Sequence, residues 1–212
     1  MGRRCGRPAK DEIPMDSRKK IIEATVSLIR KKGADCITVR SVCESAGLSI
    51  GTFYHYFRDK DDLMMFFLKE TSFEDCVLET DLSRIGDRLS ELYMHLIDSY
   101  MKLGEGFMKS FYTTGNRSLS AYMSEQNGSF LDGTVMARSE KEMNDALSAG
   151  YIRQGVDVHL ACMDICTIVE GCIFEWCLGD GRMDIKASAS RIINSYLRPY
   201  LSMRCSPKIG QV

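Results

Sequence analysis

An all-α architecture is expected for this 212-residue chain from two features of its sequence. Apolar residues recur at i, i+3/i+4 and i+7 through nearly every long segment, the rhythm of a helix buried along one side. Small polar residues suited to helix starts, and glycines suited to helix ends, punctuate that rhythm. With 44% apolar and 27% charged residues the chain reads as globular, long for one domain and short for two large ones. Its basic start, Met1 to Pro8, leads into no apolar run, so no secretion signal is expected. The most apolar stretch, Leu160 to Leu178, carries Asp164, Glu170 and Glu175, which argues against a membrane span. Nine irregularly spaced cysteines, an odd number, point to reduced thiols and a cytoplasmic protein.

A net charge of −1 conceals an asymmetry. Residues 1–60 carry a net +6 and residues 61–212 a net −7. A basic front on an acidic back fits a nucleic-acid-binding head on a body that a polyanion repels. The expected division is a basic flexible arm over 1–15, a head over 16–62, a helical body over 63–204 and a tail over 205–212.

The head reads as three helices. Asp16 or Ser17 can cap the first, whose Ile21, Ile22, Thr25, Leu28 and Ile29 keep one face apolar; Arg30, Lys31 and Lys32 suit its C-terminal dipole and Gly33 ends it. Thr38 caps a second helix with Val39, Val42, Cys43 and Ala46 inward, and Gly47 ends it. Ser49 caps a short third helix, and Asp59 a fourth that begins at Lys60 and is expected to run past Phe73. Two short helices joined at a tight glycine turn meet the geometry of a helix-turn-helix. Phe53 and Phe57, four apart, anchor the third helix, leaving Ser49, Ile50, Gly51, Thr52, Tyr54 and His55 toward solvent or DNA.

The segment Gly47-Leu48-Ser49-Ile50-Gly51-Thr52-Phe53-Tyr54-His55-Tyr56-Phe57-Arg58-Asp59-Lys60 closely resembles the DNA-reading helix of the TetR family of bacterial regulators. The resemblance is strong over residues 16–68 and rests on helical pattern and length thereafter. It implies DNA contacts at Thr38, Ser49, Gly51, Thr52, Tyr54, His55 and Lys60, with Thr38 and Lys60 on phosphate and Thr52 and Tyr54 on bases. Ile50 departs from the lysine or polar residue frequent in the family and suits a thymine methyl. Upstream, Arg3-Arg4-Cys5-Gly6-Arg7-Pro8 resembles an AT-hook core, so Arg3, Arg4 and Arg7 either enter an A·T-rich minor groove or form a basic tail that adds non-specific affinity.

In the body, an amphipathic segment runs from about Leu82 to Leu103, a glycine-broken stretch from Gly104 to Gly133, and a further helix from about Thr134 to Ala149. Two long helices follow, about Val156 to Leu178 and Asp184 to Leu201, separated by Gly179-Asp180-Gly181. Their apolar surface suits a four-helix interface with a second copy, with Ile168 and Ile193 expected within it. The family resemblance likewise implies a homodimer through the last two helices. Two heads would then stand one DNA turn apart, roughly 34–36 Å, on the double-stranded DNA of a palindromic operator.

The same resemblance implies a cavity among the middle helices for a small-molecule effector, with Tyr93, Leu96, Phe107, Met108, Phe111, Phe130, Glu170 and Trp176 as its lining; plain core packing is the other reading of each. Glu170, an acid in an apolar helix, needs a partner: an internal Arg or Tyr, or a polar or cationic ligand. His159, Cys162 and Cys166 share one helix face at zinc-ligand spacing, but no fourth ligand is evident, and core packing is the reading adopted. No cofactor or metal is assigned. Cys36 and Cys43 are either redox-sensitive or inert packing.

The function expected is binding without catalysis: a ligand-responsive transcriptional repressor released from its operator by an effector. A TetR-like protein that binds DNA for an architectural or division-linked purpose, without effector, is the alternative. An enzyme is disfavoured because the three histidines, His55, His95 and His159, accompany no nucleophile motif.

Overall fold

The computed structural model describes residues 15–33, 36–69, 72–101, 105–112, 116–123 and 125–202. Ten α-helices are seen among them: α1 (Met15–Lys32), α2 (Val39–Ala46), α3 (Ile50–Tyr56), α4 (Lys60–Lys69), α5 (Ile85–Met101), α6 (Glu105–Phe111), α7 (Arg117–Met123), α8 (Val135–Ser148), α9 (Val158–Leu178) and α10 (Ile185–Leu197). No helix among the described residues is long and apolar enough to cross a membrane.

Caps set most helix starts. The side chains of Thr38, Ser49, Thr134, Asp157 and Asp184 each accept the backbone N–H three residues on, satisfying a donor the helix cannot. Asp59 does the same for Asp62 at 2.8 Å. The α2–α3 turn is made at Gly47, which sits at φ +65°, a left-handed conformation that a side chain would strain.

Two sequence expectations are corrected at helix ends. Asp16 and Ser17 do not cap α1, which already starts at Met15. Tertiary packing holds its first turn instead: Ser17 is buried, and the Arg18 guanidinium lies 4.6 Å from the centroid of the Phe66 ring. Nor does α4 run past Phe73. That residue is non-helical and buried, and its N–H donates to the Gly133 carbonyl at 2.9 Å, tying the chain to the start of α8. A long-range contact overrides the local helical pattern there.

In the body, α5, α8, α9 and α10 close a ring in which each packs on two neighbours, a four-helix arrangement. At the α5–α10 crossing a Cβ at Gly86 would meet the Asn194 amide oxygen, so any larger residue there would force the Asn194 side chain to shift. The expectation that Ile193 lies in a subunit interface is also corrected: it is fully buried within the chain, while Ile168 is half-buried on the outer side. The head meets the body through α4, which packs on α7.

A feature invisible in the sequence pattern locks residues 73–80 onto this ring. Glu142, buried on α8, takes Nε of Arg88 at 2.6 Å and Nε of Arg138 at 2.8 Å. The same guanidiniums donate onward to the carbonyls of Thr80 and Glu74. Burial pushes the Glu142 carboxyl up, but the two arginines outweigh it and its pKa lies below the ordinary value.

Candidate nucleic-acid interface

Helix α3 has a buried back and an open front. Phe53 is fully buried and Phe57, just past the helix, nearly so, their ring centroids 5.7 Å apart. On its open side Ile50 is 50% and Tyr54 55% exposed, two large side chains adjacent on one turn of the helix. His55, Ser49 and Gly51 are exposed, and Thr52 is half-buried.

The polar groups are only partly free. Ser49 Oγ accepts the Thr52 N–H at 3.0 Å, and the two hydroxyls lie 2.8 Å apart, so both first serve the helix start. Thr38 is likewise engaged in a reciprocal cap with Ser41: its Oγ1 accepts the Ser41 N–H at 3.0 Å, and its N–H donates to Ser41 Oγ at 2.9 Å. It stays exposed at the start of α2, where backbone N–H groups suit a phosphate. Lys60, half-buried, opens α4. Arg3, Arg4 and Arg7 lie outside the described residues.

Gly51 is informative because the protein itself does not need it. A Cβ there would meet only Ser49 Oγ, at an ordinary 3.6 Å, and the backbone is not left-handed. The missing side chain therefore clears space outside the fold, on the face where a duplex would approach.

The sequence-derived effector lining divides in the structure. Tyr93, Leu96, Met108 and Phe111 are buried; Phe107 has no described side chain. Phe130 stacks on the His159 ring, 4.2 Å between centroids, and Trp176 is buried near the end of α9, its carbonyl accepting the Gly181 N–H. Glu170 is half-buried; among the described residues no arginine or lysine pairs with it, and Cys166 Sγ lies 3.9 Å from its Oε1. Burial raises its pKa. The hydroxyls of Tyr93 and Tyr112 are buried and, among the described residues, meet no partner at good hydrogen-bonding geometry; the nearest hydroxyls are those of Ser139 for Tyr93 and Tyr100 for Tyr112. Burial holds both phenols well above their ordinary pKa, Tyr100 adds to the rise at Tyr112, and Ser139, which donates to the Val135 carbonyl at 2.7 Å and can still accept, acts on Tyr93 in the opposite direction.

His159, Cys162 and Cys166 do not converge. The imidazole faces outward between Glu140 (2.7 Å) and Glu125 (3.0 Å), Cys162 Sγ meets Met143 at 3.6 Å, and Cys166 meets Glu170. Burial pushes the Cys162 thiol up to about 12, keeping it protonated and unreactive. Cys43 is buried beneath the head's turn with a raised thiol pKa, and Cys36 is exposed. On the outer side of α9 and α10 lies an apolar cleft of about 400 Å³. Leu160, Met163, Phe174 and Leu178 are exposed along the same helix α9.

The model of the bacterial regulatory proteins of the tetR family matches residues 21–65, the segment from α1 into α4. The fatty acid metabolism regulator protein of Bacillus subtilis (strain 168) is 22% identical over 175 residues, covering 82% of this chain and 90% of its own. The transcriptional repressor KstR of Mycolicibacterium smegmatis is 35% identical over 54 residues, 26% of either chain. Among solved structures, the TetR family repressor FadR of Thermus thermophilus, in complex with lauroyl-CoA, superposes with a TM-score of 0.57 at 14% identity, over 92% of this chain and 100% of its own. The open α3, set on its buried aromatic pair, lies inside the segment, residues 21–65, that is similar to the bacterial regulatory proteins of the tetR family.

Proposed function

We propose that the chain is a homodimeric transcriptional repressor that holds a palindromic operator until a small molecule bound in its body releases it. The observation that carries this reading is α3 itself, whose large exposed side chains Ile50 and Tyr54 flank a gap at Gly51. In this reading Thr38 and Lys60 bind phosphate, Tyr54 and Thr52 read bases and Ile50 covers a thymine methyl. Thr52 must exchange its bond with Ser49 for one with DNA. The arm's Arg3, Arg4 and Arg7 add phosphate or minor-groove contacts.

The exposed apolar residues of α9, beside the α9–α10 cleft, are the surface a second copy would cover. An effector would seat against the buried faces of α5, α6 and α9, where the phenols of Tyr93 and Tyr112 lie and burial raises the Glu170 pKa. Such a lining supports a ligand with an apolar body and a hydrogen-bonding end. The lauroyl-CoA bound by the Thermus relative makes an acyl thioester the first probe.

The test is selection of duplexes from a random pool, followed by titration of the selected complex with lauroyl-CoA. Enrichment of an inverted repeat and its release by the thioester are expected. Failure to enrich any sequence contradicts the DNA reading; enrichment without release contradicts the acyl effector.

A further inference from the structure

Head and body are joined by a hydrogen bond that bridges sixty residues of sequence: Nη2 of Arg58 donates to Ser118 Oγ at 2.8 Å. Arg58 stands between the end of α3 and the start of α4, and its own N–H donates to Asp62 Oδ2 at 3.0 Å. The residue is thus held at its backbone by α4 and at its guanidinium by α7. At the far end of α4 the Lys69 ammonium lies 6.0 Å from the centroid of the Tyr122 ring, also on α7. Ser118 and Tyr122 are four residues apart and so share one face of that short helix.

We propose that α7 is the strap that sets the orientation of the DNA-reading head, and that Arg58 is a positioning residue acting through Ser118 rather than a phosphate ligand. The local charge argues against a phosphate role. Asp59 Oδ2 lies 3.4 Å from Arg58 Nε and Asp62 takes the Arg58 N–H, so a polyanion approaching this guanidinium meets a carboxylate already beside it and a second at its backbone. Tyr122 is itself half-buried against the core, which fixes the face of α7 that Arg58 and Lys69 meet.

The inference rests on the reading of α3 as the DNA-binding helix, and the experiment separates the two. Full-length Ser118→Ala, Arg58→Ala, the double variant and Ser118→Thr are titrated against the duplex selected by the wild type, over a range of salt. Either alanine should weaken binding about threefold to tenfold. The double variant should be no weaker than the worse single one, Ser118→Thr should restore affinity, and all should keep the wild-type salt slope. An Arg58→Ala variant that loses about one unit of slope while Ser118→Ala is silent makes Arg58 a phosphate contact and overturns the proposal. Additive losses, or none, overturn it too. If the wild type selects no duplex, the α3 reading has failed instead. Amide exchange over residues 50–69 then judges the strap: faster exchange in Ser118→Ala supports it and unchanged exchange overturns it.

Discussion

Phe53 and Tyr54 are adjacent on α3 and point to opposite worlds: the Phe53 ring is fully buried, the Tyr54 ring 55% exposed, and the two meet edge-on with centroids 5.6 Å apart. A seven-residue helix is too short to be stable alone. Phe53 fastens it to α1 and α2, and Phe57 extends that hold to Phe66 on α4, with ring centroids 6.5 Å apart. Rigid support behind and a large phenol in front are what a groove-reading element needs.

Gly51 separates function from folding. Gly51→Ala adds a methyl that the fold accommodates, and it removes the entropic cost of a helical glycine, so the head should gain about 0.5–1 kcal/mol. Affinity for the selected duplex should nevertheless fall. Thermal melting and anisotropy titration on one preparation check both; unchanged affinity would mean that nothing approaches the backbone there.

Glu142→Gln leaves Arg88 and Arg138 without their buried anion, and the variant should lose about 3 kcal/mol of stability. Chemical denaturation measures the loss, and amide exchange over residues 73–80 should rise with it. The wild-type carboxyl has a folded pKa below its ordinary 4.5, so its contribution is present above that value and fades as pH falls through the folded pKa.

His159 answers to pH in the opposite sense. Its two ring nitrogens both face carboxylates, an arrangement that only the imidazolium satisfies. The Glu140 hydrogen bond, against a lesser cost of burial, and then Glu125 raise its pKa above 6.5. The stability it contributes is therefore full below pH 6.5 and lost as pH rises through the folded value. NMR titration of the imidazole should give a pKa above 6.5 that returns toward it in Glu140→Gln; a wild-type value at or below 6.5 contradicts this account.

Ile168→Asp places a charge in the outer cleft of α9 and α10, at a half-buried position on the edge of the core, and it should yield folded monomers in sedimentation. Ile193→Asp, by contrast, should unfold the chain, because Ile193 is wholly internal. A dimeric Ile168→Asp would place the interface elsewhere.

Local chemistry made the head legible. Thr38, Ser49 and Asp59 are caps whose partners lie three residues away, and the Phe53–Phe57 spacing dictates which side of α3 is buried. Contacts between distant segments were not legible. The Arg88–Glu142–Arg138 cluster joins residues 54 apart, and Phe73, past the end of α4, is held by a bond to Gly133 sixty residues on. Apolar patterning marked both Ile168 and Ile193 as buried but could not tell an internal neighbour from a second subunit. For Glu170 the sequence posed the right question, and among the described residues the structure sets Cys166 beside it.

One measurement bears on the central claim more directly than any other: the affinity of Tyr54→Ala for the duplex that the wild type selects. Tyr54 is more than half exposed and its ring meets Phe53 only edge-on, so the variant should fold and melt as the wild type does. Binding should weaken by about 1–3 kcal/mol, with relaxed preference at the base pairs it reads. A variant that binds the same sequence as tightly and as selectively would contradict the placement of α3 in the groove.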